Sequence, residues 1–358
     1  MMGNEATMTP RWILPLLTCA AWLPAALALA TQEPPKVVMK PPPPEGTPTV
    51  APLAVEATEP AALKKQTYSF VDTYAAATPR LDQYARWIDP VCVTVQGLAP
   101  DQGAVIKARV EEVAKGVGLR VAGKGCGPNI EIKFSAQPQG FLDQVAATHE
   151  DMLGYWHRRD RDTLKTITHP IQAWYRTASI GVGGGTGSTF AYIESAGVGT
   201  AVPAGTMGSQ ATGEIIDDPD ERAPTGCGNS RFTSCLRSVF DHVLIMVDTN
   251  AVRDAPAGLV ADYVAMLAMA QPQSLDGCNA LKSVIDIYAR GCAGREAPDG
   301  LTRADVAFLT SLYKTDLEAK KQSQQTDIAG RMADMLLKAN ATDRVATWGR
   351  AQKTSTGK

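Results

Sequence analysis

Six of the seven cysteines fall into three close groups along the chain: Cys92 with Cys126, Cys227 with Cys235, and Cys278 with Cys292. If these groups are covalent cross-links, each one ties a short loop and limits what the backbone between can do. An even number of cysteines in an exported chain reads as disulfides. Proximity in sequence selects the pairs Cys92–Cys126, Cys227–Cys235 and Cys278–Cys292. On the chain-entropy view each loop then adds on the order of 2–4 kcal/mol. The rival use of clustered cysteines is structural zinc, which favours a C-x-x-C pair, and the chain has none.

Whether those thiols oxidise depends on the compartment, and the N-terminus addresses that. Arg11 is followed by a nearly uninterrupted apolar run from Trp12 to Leu29, and Ala28-Leu29-Ala30 closes it with small side chains. Charge, apolar stretch and an A-x-A site, in that order, make a secretory signal over residues 1–30 with cleavage specified by Ala28 and Ala30. Met8 offers an alternative start. A membrane anchor is the competing reading of the run. A lipoprotein reading would use Cys19, but Thr18 stands before it where a smaller residue is wanted. The expected location is therefore periplasmic or secreted, with no membrane span once the signal is removed. The formal net charge of −2 supplies no basic field for nucleic acid.

Residues 31–62 form a Pro-rich linker, centred on Pro41-Pro42-Pro43-Pro44, that is expected to be extended and disordered. A single domain is expected over 63–340, its globular part opening near Tyr68, and a disordered tail over 341–358. Val91, Val93 and Val95 alternate with polar neighbours as a short strand. Ile106, Val110, Val113 and Val117 recur at helical spacing. Leu119 to Val121 is read as a second strand, and Asn129 to Phe134 as a third with Ile130, Ile132 and Phe134 on one face. Further on, a short helix is expected at Phe141 to Val145 and an edge strand at Ile171 to Arg176. Ser188 to Glu194 is expected to pair back onto that strand. His242 to Val247 reads as a strand buried on both faces. A helix opened by Pro256 runs through Ala270. Thr302 with Asp305 has the form of a capping box, and Ile328, Met332, Met335 and Leu336 mark a last helix. The expected class is α/β with an α+β tendency: a small mixed sheet with packed helices and a helical C-terminal part. Residues 179–235, rich in Gly and Ser, are expected to be a flexible insertion.

Specific catalytic signals are missing. The glycines of Gly181 to Ser188 occur without the helix or lysine that a phosphate-binding loop requires. Asp217-Asp218-Pro219-Asp220-Glu221 lacks the ligand alternation of a calcium loop and reads as a solvated acidic stretch. Of His149, His157, His169 and His242, none stands in H-E-x-x-H. His149 and His157 read as surface or interface residues, and His242 as a satisfied core residue. There is no G-x-S-x-G elbow for a serine nucleophile.

The order strand, helix, two strands, edge strand, buried strand and long helix resembles the zincin (metallopeptidase-like) core. After that helix comes a disulfide-bearing loop and the segment Leu301-Thr302-Arg303-Ala304-Asp305…Leu312-Tyr313, similar to endings in uncharacterised exported bacterial proteins of that kind. The resemblance implies that the helix Pro256 to Ala270 stands where zincins carry their zinc motif. Laid onto it, Asp262 and Met266 take the ligand positions and Tyr263 the general-base position. Methionine is a poor ligand for zinc that must activate water, and tyrosine cannot replace a carboxylate near neutral pH. No cofactor is expected. The resulting expectation is a non-catalytic exported domain that binds a protein or peptide, with Ile171 to Arg176 as its pairing edge. Two alternatives stand beside it: a hydrolase assembled from His149, His157 and the Asp217 to Glu221 loop, and a structural protein of the cell envelope.

Overall fold

The computed structural model describes residues 60–79, 81–154, 161–181, 190–195, 198–203 and 236–342. Seven α-helices occur among them: α1 (Pro60–Tyr74), α2 (Pro100–Gly116), α3 (Pro138–Thr148), α4 (Arg161–Leu164), α5 (Ala257–Met269), α6 (Arg303–Leu312) and α7 (Lys321–Thr342). The strands are β1 (Ala77–Thr78), β2 (Gln83–Tyr84), β3 (Val93–Gln96), β4 (Ile130–Ser135), β5 (Ile171–Gly181), β6 (Phe190–Ser195), β7 (Val198–Pro203) and β8 (Leu236–Asp248). β1 and β2 pair with each other, and the other six form one sheet in the order β3-β4-β8-β5-β6-β7. The pairs β3/β4 and β4/β8 are parallel, while β8/β5, β5/β6 and β6/β7 are antiparallel. The class is α/β, with a small mixed sheet and packed helices.

The period-2 pattern of the strands sorts the sheet into two faces. Ile130, Ile132 and Phe134 of β4 join Val243, Ile245 and Val247 of β8 in the main core, with Ile106, Val110 and Val113 of α2 and nearly all of α5. Leu244 and Met246, the intervening residues of β8, turn to the other face, where Trp174, Leu142, Val145 and Leu153 form a smaller cluster. A strand with both faces covered needs apolar residues throughout, as β8 has from Val243 to Val247. α5 is apolar on nearly every side for the same reason: sheet, α2 and α6 enclose it.

Four expectations are corrected. The chain is helical from Pro60, with Leu63 already buried, so helix begins inside the segment read as linker. Proline at a first helical position needs no N–H and suits a helix start as well as a linker. Leu119 to Val121 is not a strand. It contributes one parallel bridge, Val91 to Val121, closed by Val91 N–H to Arg120 O and Ala122 N–H to Val91 O, both 2.9 Å. Next, β5 runs on to Gly181, and β6 pairs with its second half, from Thr177↔Glu194 to Ile180↔Ala191. The hairpin therefore exists, but not with Ile171 to Arg176. Finally, residues 179–235 contain the end of β5 and all of β6 and β7.

Ile171 to Arg176 is only partly an edge. Among the described strands β8 alone pairs with it, yet the backbone of Gly154 closes on it from the loop before α4. A Cβ on Gly154 would lie 1.8 Å from the Tyr175 carbonyl oxygen, and φ there is +63°. Only glycine fits that approach.

Two disulfides are present among the described residues, Cys92–Cys126 and Cys278–Cys292, with Cα–Cα distances of 6.1 and 5.3 Å. The Cys227–Cys235 pair, the 1–30 signal with Cys19, Ala28 and Ala30, most of the Pro-rich segment and the tail beyond Thr342 lie outside the described residues. No helix among the described residues is long and apolar enough to cross a membrane.

Candidate functional site

Asp262, Tyr263 and Met266 sit on α5, and each is engaged in packing or pairing. Asp262 accepts from Arg109 Nε of α2 at 2.5 Å and from Leu301 N–H at 2.9 Å. Arg109 also reaches Glu112 at 2.8 Å, so the carboxylate of Asp262 joins α2, α5 and the approach to α6. Gly300 makes that possible, since a Cβ there would fall 2.4 Å from Asp262 Oδ2. Met266 is 1% exposed and Tyr263 is fully buried, edge-on to Tyr288 at 5.3 Å. Burial pushes the Tyr263 hydroxyl well above its ordinary range, and that hydroxyl has no hydrogen-bond partner. Tyr263 and Met266 are thus closed in by packing, and Asp262 is taken up by an ion pair.

The end of α5 is closed as well. Its last carbonyls have no partner within the helix and must find one elsewhere. Tyr175 OH donates to Leu267 O at 2.9 Å and Ala270 O at 3.1 Å, Trp87 Nε1 to Ala268 O at 2.8 Å, and Tyr313 OH to Met269 O at 2.9 Å. Three aromatic side chains from separate elements thus anchor the helix. Tyr313, the last residue of the Leu301…Tyr313 segment, has this structural duty. Asp305 of the same segment has another. Its carboxylate is fully buried and accepts from Ser283 Oγ (2.6 Å), Val284 N–H (2.8 Å) and Thr302 N–H (2.9 Å). The expected capping box is present, with Thr302 Oγ1 accepting from Asp305 N–H at 3.0 Å. Burial pushes the Asp305 carboxyl up to about 6, against the pull of those donors.

The loop between α5 and α6 gathers the most chemistry. Asp276 accepts from His169 Nε2 at 3.1 Å and from Arg290 N–H and Nε at 3.0 and 3.1 Å, tying the loop to the start of β5. Tyr74 OH of α1 donates a short hydrogen bond to Asp286 Oδ1, and Ser283 N–H donates to Oδ2 at 3.0 Å. Cys278, Asp286 and Cys292 form the one cluster of metal-type ligands among the described residues. The two sulfurs are bonded to each other, and the thiolate, not the disulfide, is the metal ligand. Beside the pair lies a cavity of about 160 Å³ whose walls include Lys282, Asp286, Cys292, Gly294 and Arg295. Arg295 Nη1 stands 2.9 Å from Cys278 Sγ and donates to Asn279 O at 2.5 Å.

Among the described residues no cluster of metal-type ligands includes a histidine. His149 is exposed between α3 and a 3₁₀ turn at Glu150–Leu153. His157 and the Asp217 to Glu221 loop lie outside the described residues, as do Val182 to Ser188. His242 is buried, with Nε2 3.3 Å from Glu131 Oε1, but its Nδ1 has no partner, so the expected satisfied core histidine is satisfied at one nitrogen only. The bond from His242, opposed by burial and reinforced by Lys133, holds the Glu131 carboxyl down at about 2.

Sequence reasoning marked the Cys278–Cys292 loop but not its companions Tyr74, Asp276, Asp286 and Arg295. Each is a polar residue whose role is set by partners that the fold, not the local sequence pattern, brings to it. No protein-family model matches the chain, and no curated protein or solved structure is significantly similar to it.

Proposed function

We propose that this is an exported, non-catalytic domain of zincin-like topology that binds a protein or peptide in extended form. The observation that carries the reading is the use made of Asp262, Tyr263 and Met266, which serve an ion pair and a packed core instead of an open cleft. The zincin-like part is supported by a parallel strand–helix–strand unit, an antiparallel β5 beside the buried β8, and a long helix leaving β8. Export is supported by the two disulfides and by the A-x-A ending of the N-terminal apolar run. For the partner, the supporting feature is β7, the last of the described strands in the hydrogen-bonded order. Strand addition at a sheet edge takes its affinity from main-chain hydrogen bonds and suits an extended polypeptide. Ile171 to Arg176 serves this less well, because Gly154 backs onto it.

Two measurements on the mature protein test the reading. Metal analysis with a mixed-peptide cleavage assay is expected to find neither stoichiometric zinc nor hydrolysis, and finding both overturns it. Amide exchange in the presence of unstructured peptides is expected to slow at Val198–Pro203. No slowing anywhere in the sheet removes the binding part.

A further inference from the structure

We propose that Cys278–Cys292 is a thiol-exchange site for an anionic low-molecular-weight thiol, which takes Cys292 as its mixed-disulfide partner and releases Cys278 as a thiolate beside Arg295. The inference does not rest on peptide binding. Three observations lead to it. First, a cavity opens at the pair, and Cys292, Lys282 and Arg295 are among its walls. Second, the Arg295 guanidinium is held 2.9 Å from Cys278 Sγ by its bond to Asn279 O. A cation in that place stabilises a thiolate and makes it a better leaving group. Third, the loop has anchors that do not depend on the disulfide. Asp286 is bound by Tyr74 and Ser283, Asp276 by His169 and Arg290, and Ser283 also reaches Asp305. Opening the pair therefore leaves the loop in place and the sulfurs near one another.

The direction of attack follows from the cavity, which reaches the otherwise buried Cys292 and not Cys278, and from the Arg295 charge beside Cys278. The incoming thiolate forms a bond to Cys292 Sγ, the Cys278–Cys292 bond breaks, and its electron pair goes to Cys278 Sγ next to Arg295. One sulfur–sulfur bond replaces another, with no external oxidant or reductant. The cavity wall carries Asp286 and Glu296 as well as Lys282 and Arg295; Lys282 pairs with Glu296 at 2.9 Å and Asp286 is taken up by Tyr74 and Ser283, so Arg295 is the cation left to meet an acidic thiol. Cys92–Cys126 lacks such a companion: no hydrogen bond to either sulfur occurs among the described residues, and Cys92 lies at the start of β3 with its N–H bound to Asn129 at 2.7 Å. It serves as an internal control.

The test treats the native full-length mature protein with graded reduced glutathione, quenches it by alkylation and maps every cysteine peptide by mass spectrometry. Glutathione is expected on Cys292 and the alkyl label on Cys278, at thiol concentrations about tenfold below those that open Cys92–Cys126. Arg295→Gln is expected to slow the opening about tenfold, the scale of one charge-assisted contact, with Arg295→Lys between the two. Circular dichroism checks that the variants are folded. The proposal is overturned if both disulfides open together, if the adduct sits on Cys278, or if Arg295→Gln exchanges as fast as the native chain.

Discussion

Asp305→Asn tests burial against hydrogen bonding at a single carboxylate. Asp305 is fully buried, no cation among the described residues pairs with it, and it accepts from Ser283, Val284 and Thr302. Burial disfavours the charged form and the donors favour it. Burial wins, raising the carboxyl from 3.8 to about 6. Because the folded state holds this proton more tightly, the associated stability is fully present below pH 3.8. It declines as pH rises and is gone above about 6, a change of roughly 3 kcal/mol. Asp305→Asn does not titrate, so the difference in unfolding free energy between native and variant protein isolates this one group from all other carboxylates. Urea unfolding at pH 4, 5, 6 and 7 should show the native advantage shrinking by roughly 2.4 kcal/mol across the series, part of the full change being already lost at pH 4. An advantage that grows with pH would refute the reasoning, since it would mean that the donors outweigh burial. Asp305→Ala is a harsher probe. It strands the Val284 and Thr302 amides without partners, at a cost of roughly 4 kcal/mol.

Other perturbations follow from the same structure. Arg86 is buried with its guanidinium on Leu312 O (2.5 Å), Thr315 O (2.7 Å) and Asp316 O (3.2 Å) beyond the end of α6, where a cation also meets the helix dipole. Arg86→Met should lower stability by roughly 3 kcal/mol in urea unfolding, and a loss below about 0.5 kcal/mol would show that those carbonyls find other donors. Gly154→Ala should cost on the order of 2 kcal/mol or more and speed amide exchange around Tyr175, because the added Cβ meets the Tyr175 carbonyl. Unchanged exchange there would mean that the turn before α4 shifts freely. Asp262→Ala and Arg109→Ala, each measured alone and together, should be non-additive by about 1 kcal/mol in a double-mutant cycle. Additive losses would contradict the ion pair.

The residues that carried their own local signal were legible from sequence. Ile130, Ile132 and Phe134 alternate and form a strand with one apolar face. Ile106 to Val113 recur at helical spacing and form α2, and Thr302 with Asp305 caps α6. Cys92–Cys126 and Cys278–Cys292 pair as proximity suggests. The zinc-motif positions could be located on α5, but whether they faced solvent could not. Identity alone does not say that Arg109, 153 residues earlier, meets Asp262, or that Tyr288 covers Tyr263. The strands missed or misplaced were those whose state depends on a neighbour. Val121 makes one bridge only because Val91 lies alongside, and the glycine-flanked β6 is a strand because β5 extends far enough to receive it.

Sequence by itself pointed to most of the local elements, since propensity, period and capping act within a few residues, and to the two described cross-links through the proximity of their cysteines. Tertiary structure alone decided what Asp262, Asp286 and Arg295 are for. A carboxylate or guanidinium takes its role from the charge, donor or sulfur placed within about 3 Å of it, and folding brings those partners from distant parts of the chain.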